Sequence, residues 1–221
     1  MNDTIAAIST ALGVGAISII RVSGDKSIEI VNKIFDKDLT KKKSHTINYG
    51  HIVYNGEIID EVMVSIMKSP KTFTKEDTIE INSHGGVAVT NKVLEILLLE
   101  GARLAEPGEF TKRAFLNGRM DLAQAESVMD LINSKTSREA KASINQLKGG
   151  LSKEINLIKK QLLDIMADIE ATIDYPEYDI ENVTQKSVEK KLKSVKEELE
   201  HLEKSFDNGK ILRDGVKTVI I

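Results

Sequence analysis

Few residues in this sequence have both the type and the placing that chemistry needs. Glu80 lies in the alternating run TIEIN, between Ile79 and Ile81. If the isoleucines face a core, the carboxylate points the other way, four residues before the turn His84-Gly85-Gly86. A carboxylate there can accept two parallel hydrogen bonds from a flat heterocycle with adjacent N–H donors. The plainer alternative, an exposed strand glutamate, is the one spacing alone favours. Arg21 follows the apolar run AISII and precedes VSG. Its guanidinium can hold a ligand carboxylate bidentately or pair with an acid of the protein itself, and the sequence leaves both open. His84 reads as a structural turn residue.

Other constellations fail on spacing or context. Gly13 and Gly15 in LGVGAIS imitate the opening of a dinucleotide fingerprint, but Ser18 occupies the third glycine position and a strand follows where a helix is required. His45, His51, His84 and His201 show no metal-ligand spacing, and no HExxH occurs. There is no GxSxG elbow. The absence of cysteine excludes disulfides, thiolate metal sites and a cysteine nucleophile, and fits a reducing compartment. No catalytic or metal-ligating set is therefore assigned.

The elements that must position Glu80 and Arg21 are legible from periodicity. TIAAIS, AISIIRVSG and DTIEINS read as strands. INYGHIVYNGEIIDEVMVSIM reads as a hairpin, because Asn55-Gly56 tolerates positive φ at both turn positions. Val62, Val64 and Ile66 then share one strand face. KSIEIVNKIF and GVAVTNKVLEILLLEG read as helices, the second closed by Gly101. In AEPGEFTKRAFLNG, Pro107 suits a helix start and Gly118 a helix end.

Near residue 120 the chain changes to almost continuous helix. Asp121 is expected to cap one helix over LAQAESVMDLINSKTSREAKASINQL, with a break at Gly149-Gly150. A heptad seam follows at Leu151, Ile155, Ile158, Leu162, Ile165, Ile169 and Ile173. A second runs through Val188, Leu192, Val195, Leu199, Leu202 and Phe206. Joined by the acidic loop DYPEYDIE, they predict an antiparallel pair whose seams are core. The chain closes on VKTVII, an apolar strand expected to stand unpaired.

Composition narrows the partners. Of 221 residues 41% are hydrophobic and 29% charged, with net charge −3, as in an ordinary globular protein. Neither half is basic overall, which argues against a broad grip on nucleic acid, and the run Lys41–Lys43 reads as a solvated loop. Only nine aromatic residues (four Tyr, five Phe) are present, too few for a stacking RNA reader. No signal peptide and no membrane-length apolar run are visible, so the cytoplasm is the expected location.

The block EPGEFTKRAFLNGRMDLAQAESVMDLI, with IIRVSG, DTIEINSHGG and LRDGVKTVII, closely resembles the N-terminal part of the MnmE (TrmE) family of tRNA modification GTPases, over the entire chain. The resemblance implies an α+β architecture. Residues 1–118 would form an aminomethyltransferase-like domain that binds tetrahydrofolate and dimerises. Residues 119–210 would be the first part of a helical domain, and 211–221 the start of a G domain cut off before its phosphate loop. On this reading the chain is a fragment without GTPase activity of its own, and GTP, Mg2+ and K+ belong to the full-length family protein. The cofactor implied is a 5-formyl- or 5,10-methylene-tetrahydrofolate. It supplies a one-carbon unit to C5 of the wobble uridine (U34) of tRNA, in a heterotetramer with the FAD enzyme MnmG, to install aminomethyl or carboxymethylaminomethyl groups.

Carried over by motif, Arg21 is a folate contact, Glu80 takes the pterin edge, and Arg119 is the basic residue of LNGRMDL, where many relatives have lysine. A further contact from the family's C-terminus is not in this chain, which is expected to lower affinity. The loop TALGVGAIS carries Ala11, Ala16 and Ser18 where the family often has prolines and glycines. Two other readings stand beside this one: a dimerising scaffold with helical arms for docking a partner enzyme, and a direct RNA-binding module, against which charge and aromatic content argue.

Overall fold

The computed structural model describes residues 3–174, 181–214 and Val219. Apart from Val219, the strand expected over 216–221 lies outside the described residues. So do 175–180 of the acidic segment and the side chain of Phe206. The chain divides into two compact units, Met1–Met120 and Asp121–Ile221.

The first unit is built on a six-stranded sheet in the order β3-β4-β5-β2-β1-β6. The strands are β1 (Ile5–Ile8), β2 (Ile17–Ser23), β3 (Thr46–Tyr54), β4 (Glu57–Met67), β5 (Thr78–His84) and β6 (Arg103–Leu104). All pairings are antiparallel except β1 with β6. β6 was not expected from the sequence, because two residues carry no periodicity. The hairpin turn is as expected: Asn55 and Gly56 have φ of 51° and 82°, which suits the right-handed twist of the strands it joins.

Register makes one face of this sheet a core. Ile20 pairs with Ile81 and Val22 with Ile79, while Val64 and Ile66 flank Ile81 and Ile79 from the other side. All six are fully buried. Helices α1 (Ser27–Ile34) and α2 (Val87–Leu99) supply Ile30, Val31 and Ile34, and Val93, Ile96 and Leu97, to the same core. Each such side chain contributes roughly 1.5–3 kcal/mol by leaving water. α2 stops where Gly101 takes φ 109°, and the amide of Ala102 donates to the carbonyl of Leu97 at 3.0 Å. Because strand side chains alternate, burying Ile79 and Ile81 puts Thr78, Glu80, Asn82 and His84 on the opposite face, with Ile17, Ile19 and Arg21 beside them.

A third helix, α3 (Glu109–Leu116), ends as expected at Gly118, φ 66°. The amide of Arg119 donates back to the carbonyl of Ala114 at 2.9 Å.

The second unit is helical: α4 (Leu122–Asn133), α5 (Ser137–Leu147), α6 (Gly150–Asp174) and α7 (Glu181–Asp214). Asp121 caps α4 in a full capping box, accepting from the amide of Gln124 at 2.8 Å while the Gln124 side chain accepts from the amide of Asp121 at 2.9 Å. The Ser152 hydroxyl also donates to Asp121. Asp121→Ala is therefore expected to destabilise this unit by about 0.5–2 kcal/mol. A helical melting midpoint unchanged from the parent would show the cap to be redundant.

Two expectations for this unit need correction. The single helix over 122–147 is two, α4 and α5, because the Thr136 side chain accepts from the amide of Glu139 at 3.1 Å and Glu139 accepts from the amide of Lys135 at 2.8 Å. The sequence TSRE carries that signature. The seam of α6 is also not core throughout. Ile158 and Ile165 are buried with Val195 of α7, while Leu151, Ile155, Leu162 and Ile169 stay 37–45% exposed. Within the unit, α6 and α7 meet along one contact line, which covers only the residues aimed at it.

Candidate functional site

Arg21 and Glu80 are direct cross-strand partners, since residue 21 of β2 sits opposite residue 80 of β5. The Arg21 Nε donates to Glu80 Oε1 at 2.8 Å, and Nη2 lies 2.7 Å from the same oxygen. Both side chains are about one quarter exposed, so the pair contributes little more than the ~0.2–1 kcal/mol of an exposed cross-strand ion pair. Of the alternatives open for Arg21, pairing with an acid of the protein is thus present. Yet Glu80 is engaged at one oxygen only: Oε2 accepts no hydrogen bond from any described residue. The guanidinium lies over the ring of Phe110, 5.5 Å from its centroid. The result is an oriented carboxylate on the face of the sheet opposite the core, with one oxygen that takes no bond from the described residues.

Arg119 is placed differently. It makes no hydrogen bond or ion pair with Arg21 or Glu80, and stacks on Phe73 with its guanidinium carbon 4.7 Å from the ring centroid. The turn that carries it is stitched to the loop of Phe73 by two bonds. Lys75 Nζ donates to the carbonyl of Gly118 at 2.9 Å, and Asn117 Nδ2 donates to the carbonyl of Thr74 at 2.6 Å. A cavity of about 500 Å³ beside this stitch is lined by Asp25, Ser69, Pro70, Lys75, Glu76, Asp77 and Asn117. Three carboxylates against one lysine make it a poor receptor for an anionic ligand, and neither Arg21 nor Glu80 lines it.

His84 has a structural role. Asp60 accepts from its backbone amide at 2.8 Å and bonds ring Nδ1 at 2.6 Å. That carboxylate holds the imidazole pKa above its ordinary value. The next residue, Gly85, meets the 11–16 loop, where its amide donates to the carbonyl of Ala16 at 3.3 Å. A Cβ at Gly85 would fall 2.4 Å from the carbonyl oxygen of Gly15, so only glycine permits this approach. Gly13 and Gly15 lead into β2, as the sequence indicates, and form no fingerprint.

The set that sequence reasoning missed is a buried ionic cluster under α3. Arg113 is 1% exposed. Its Nη2 donates to Asp3 Oδ1 at 2.8 Å and to Glu109 Oε1 at 3.1 Å, its Nη1 to the carbonyl of Asp3 at 2.8 Å and to Glu76 Oε1 at 3.2 Å. Arg103 adds a fork onto Glu109, at 2.5 and 3.1 Å, and binds Asp3 Oδ2 at 2.7 Å. Hydrogen bonds from Arg103, helped by the amide of Glu106 and by Arg113, hold the Glu109 carboxyl down at about 2. Burial works against the charge of Arg113, but Glu109, Glu76 and Asp3 outweigh it and keep its pKa raised. The one sequence signal was Glu109 and Arg113 at i,i+4 inside PGEFTKRAF, a spacing that exposed helix pairs also show. Among the described residues no group of three His, Cys, Asp or Glu is arranged to hold a metal ion, and no helix is long and apolar enough to cross a membrane.

A mixed sheet with an oriented Arg–Glu pair on the face opposite its core, followed by a helical unit, defines an α+β protein of two parts. Residues 4–119 match the model of the GTP-binding protein TrmE N-terminus, and residues 122–218 match that of the MnmE helical domain. The chain belongs to the MnmE (TrmE) family of tRNA modification GTPases. It is 55% identical over 99% of its length to the tRNA modification GTPase MnmE of Lactobacillus delbrueckii subsp. bulgaricus, 57% to that of Lactococcus lactis subsp. lactis and 58% to that of Streptococcus thermophilus. It covers 48–49% of those proteins, so it spans about half the length of the curated relatives it matches.

Proposed function

We propose that this chain is the folate-binding and dimerising part of a cytoplasmic tRNA modification GTPase. Glu80 and Arg21 hold the ring system of a tetrahydrofolate, and Arg119 supplies a further cationic contact. The observation that carries this reading is the Arg21–Glu80 pair, oriented at 2.7–2.8 Å with Oε2 of Glu80 left to accept. The pterin edge presents adjacent N–H donors, and a carboxylate fixed on a strand matches them without reordering. When bound, the folate supplies the one-carbon unit for C5 of the wobble uridine. The chain's own residues bind and orient it.

Homodimerisation through the first unit, partnership with the FAD enzyme MnmG, and tRNA as the substrate of that complex complete the proposal. The names of the relatives support tRNA modification as the setting.

The test is a calorimetric titration of the 221-residue chain with 5-formyltetrahydrofolate. Glu80→Gln is expected to weaken binding by about 1–3 kcal/mol, the scale of losing one charged hydrogen-bond partner. Equal affinity in parent and variant would remove Glu80 from the site. The half-exposed apolar row of α6 favours the second reading, a scaffold whose helical arms dock a partner enzyme. No heat of binding at millimolar folate would leave that reading standing.

A further inference from the structure

We infer that Phe110 and Phe73 are positioning residues of this site, each holding one of its arginines by the face of its ring. The inference rests on the assignment of Arg21, Glu80 and Arg119 as folate contacts. Among the described residues, two phenylalanines lie under arginine side chains. These arginines are the two that the site reading selects on quite separate grounds.

The geometry explains what the rings do. An arginine on the open face of a sheet has four rotatable side-chain bonds, and an exposed ion pair does not immobilise them. The ring of Phe110, 5.5 Å from Arg21, limits the guanidinium to one side, from which Nε and Nη2 both reach the same oxygen of Glu80. That single-oxygen pairing is what leaves Oε2 available. Arg119 has no acidic partner among the described residues, and the ring of Phe73 lies 4.7 Å from its guanidinium carbon.

The two platforms share an anchor. Phe110 follows Glu109 in α3, and Phe73 lies three residues before Glu76. Arg113 binds both Glu109 and Glu76. One buried guanidinium therefore sets the position of both rings relative to β2 and β5, while neither ring is itself part of the ionic cluster.

The experiment compares the parent with Phe110→Leu, Phe73→Leu and Glu80→Gln, all in the full 221-residue chain. Leucine keeps apolar bulk and removes the ring face. The first readout is the arginine Nε–Hε spectrum without ligand. Phe110→Leu should change the Arg21 signal alone, and Phe73→Leu the Arg119 signal alone. The second is the Kd for 5-formyltetrahydrofolate, expected to rise about two- to fivefold for each leucine variant, with the urea midpoint unchanged. Unaltered arginine signals, or parental affinity in both leucine variants while Glu80→Gln loses binding, would overturn the positioning role and leave the site reading intact. A parent that binds no folate overturns the site reading itself, and with it any ligand role for the rings.

Discussion

Arg113→Ala is expected to destabilise the first unit by about 3–5 kcal/mol, read as a drop in the urea midpoint with an unchanged slope. The argument is one of uncompensated charge. Arg113 is 1% exposed and donates to Asp3, Glu76 and Glu109, of which Glu109 is equally buried. Its removal leaves the inward carboxylates of Glu76 and Glu109 with Arg103 as the remaining cation of the cluster, which reaches Glu109 and Asp3 but makes no bond to Glu76, held then by the Ser23 hydroxyl. Such a loss is a large part of the ~5–15 kcal/mol that holds a typical domain together. Arg113→Lys should recover only a part of it, because an ammonium cannot reproduce the guanidinium fork. If Arg113→Ala unfolded within about 1 kcal/mol of the parent, the cluster would be decoration and not an anchor.

Acid is expected to dissolve the same cluster, with Glu109 as the main titrating group. Its carboxyl stands at about 2 in the folded protein against an ordinary value of 4.5. A folded-state value below the unfolded one means stability that is fully present above about pH 4.5 and is lost as pH falls toward 2. For so buried a group the shift corresponds to roughly 3 kcal/mol. Asp3 is held low chiefly by its hydrogen bond from Arg103 and has the same sign. His84 has the opposite sign, since its pKa is raised and its contribution fades as pH rises. Urea midpoints between pH 6 and pH 2.5 measure the slope. Glu109→Gln should flatten it, and a variant with the parental slope would assign the acid sensitivity elsewhere.

These predictions concern residues that take no part in the proposed ligand contacts, yet they bear on function. The fork of Arg113 onto Glu109 and Glu76 places α3 and the loop of Phe73, and these carry the rings under Arg21 and Arg119. On the proposed reading, stability and ligand binding share one structural origin in this unit.

The sequence by itself determined what depends on neighbours along the chain. Asn55-Gly56 forces a tight turn, Gly101 and Gly118 end helices by taking positive φ, and Asp121 with Gln124 closes a capping box. Ile79 and Ile81 push Glu80 to the far face because strand side chains alternate. The motif resemblance, which needs no packing, implies Arg21, Glu80 and Arg119 as ligand contacts. Only the tertiary structure decided that Arg21 meets Glu80, since their 59-residue separation is closed by the β2–β5 register. The same holds for Arg113 with Asp3, 110 residues apart. An isolated i,i+4 Glu–Arg pair looks alike on an exposed helix and in a core. What separates the two is burial, a property of the packed chain that no local pattern records.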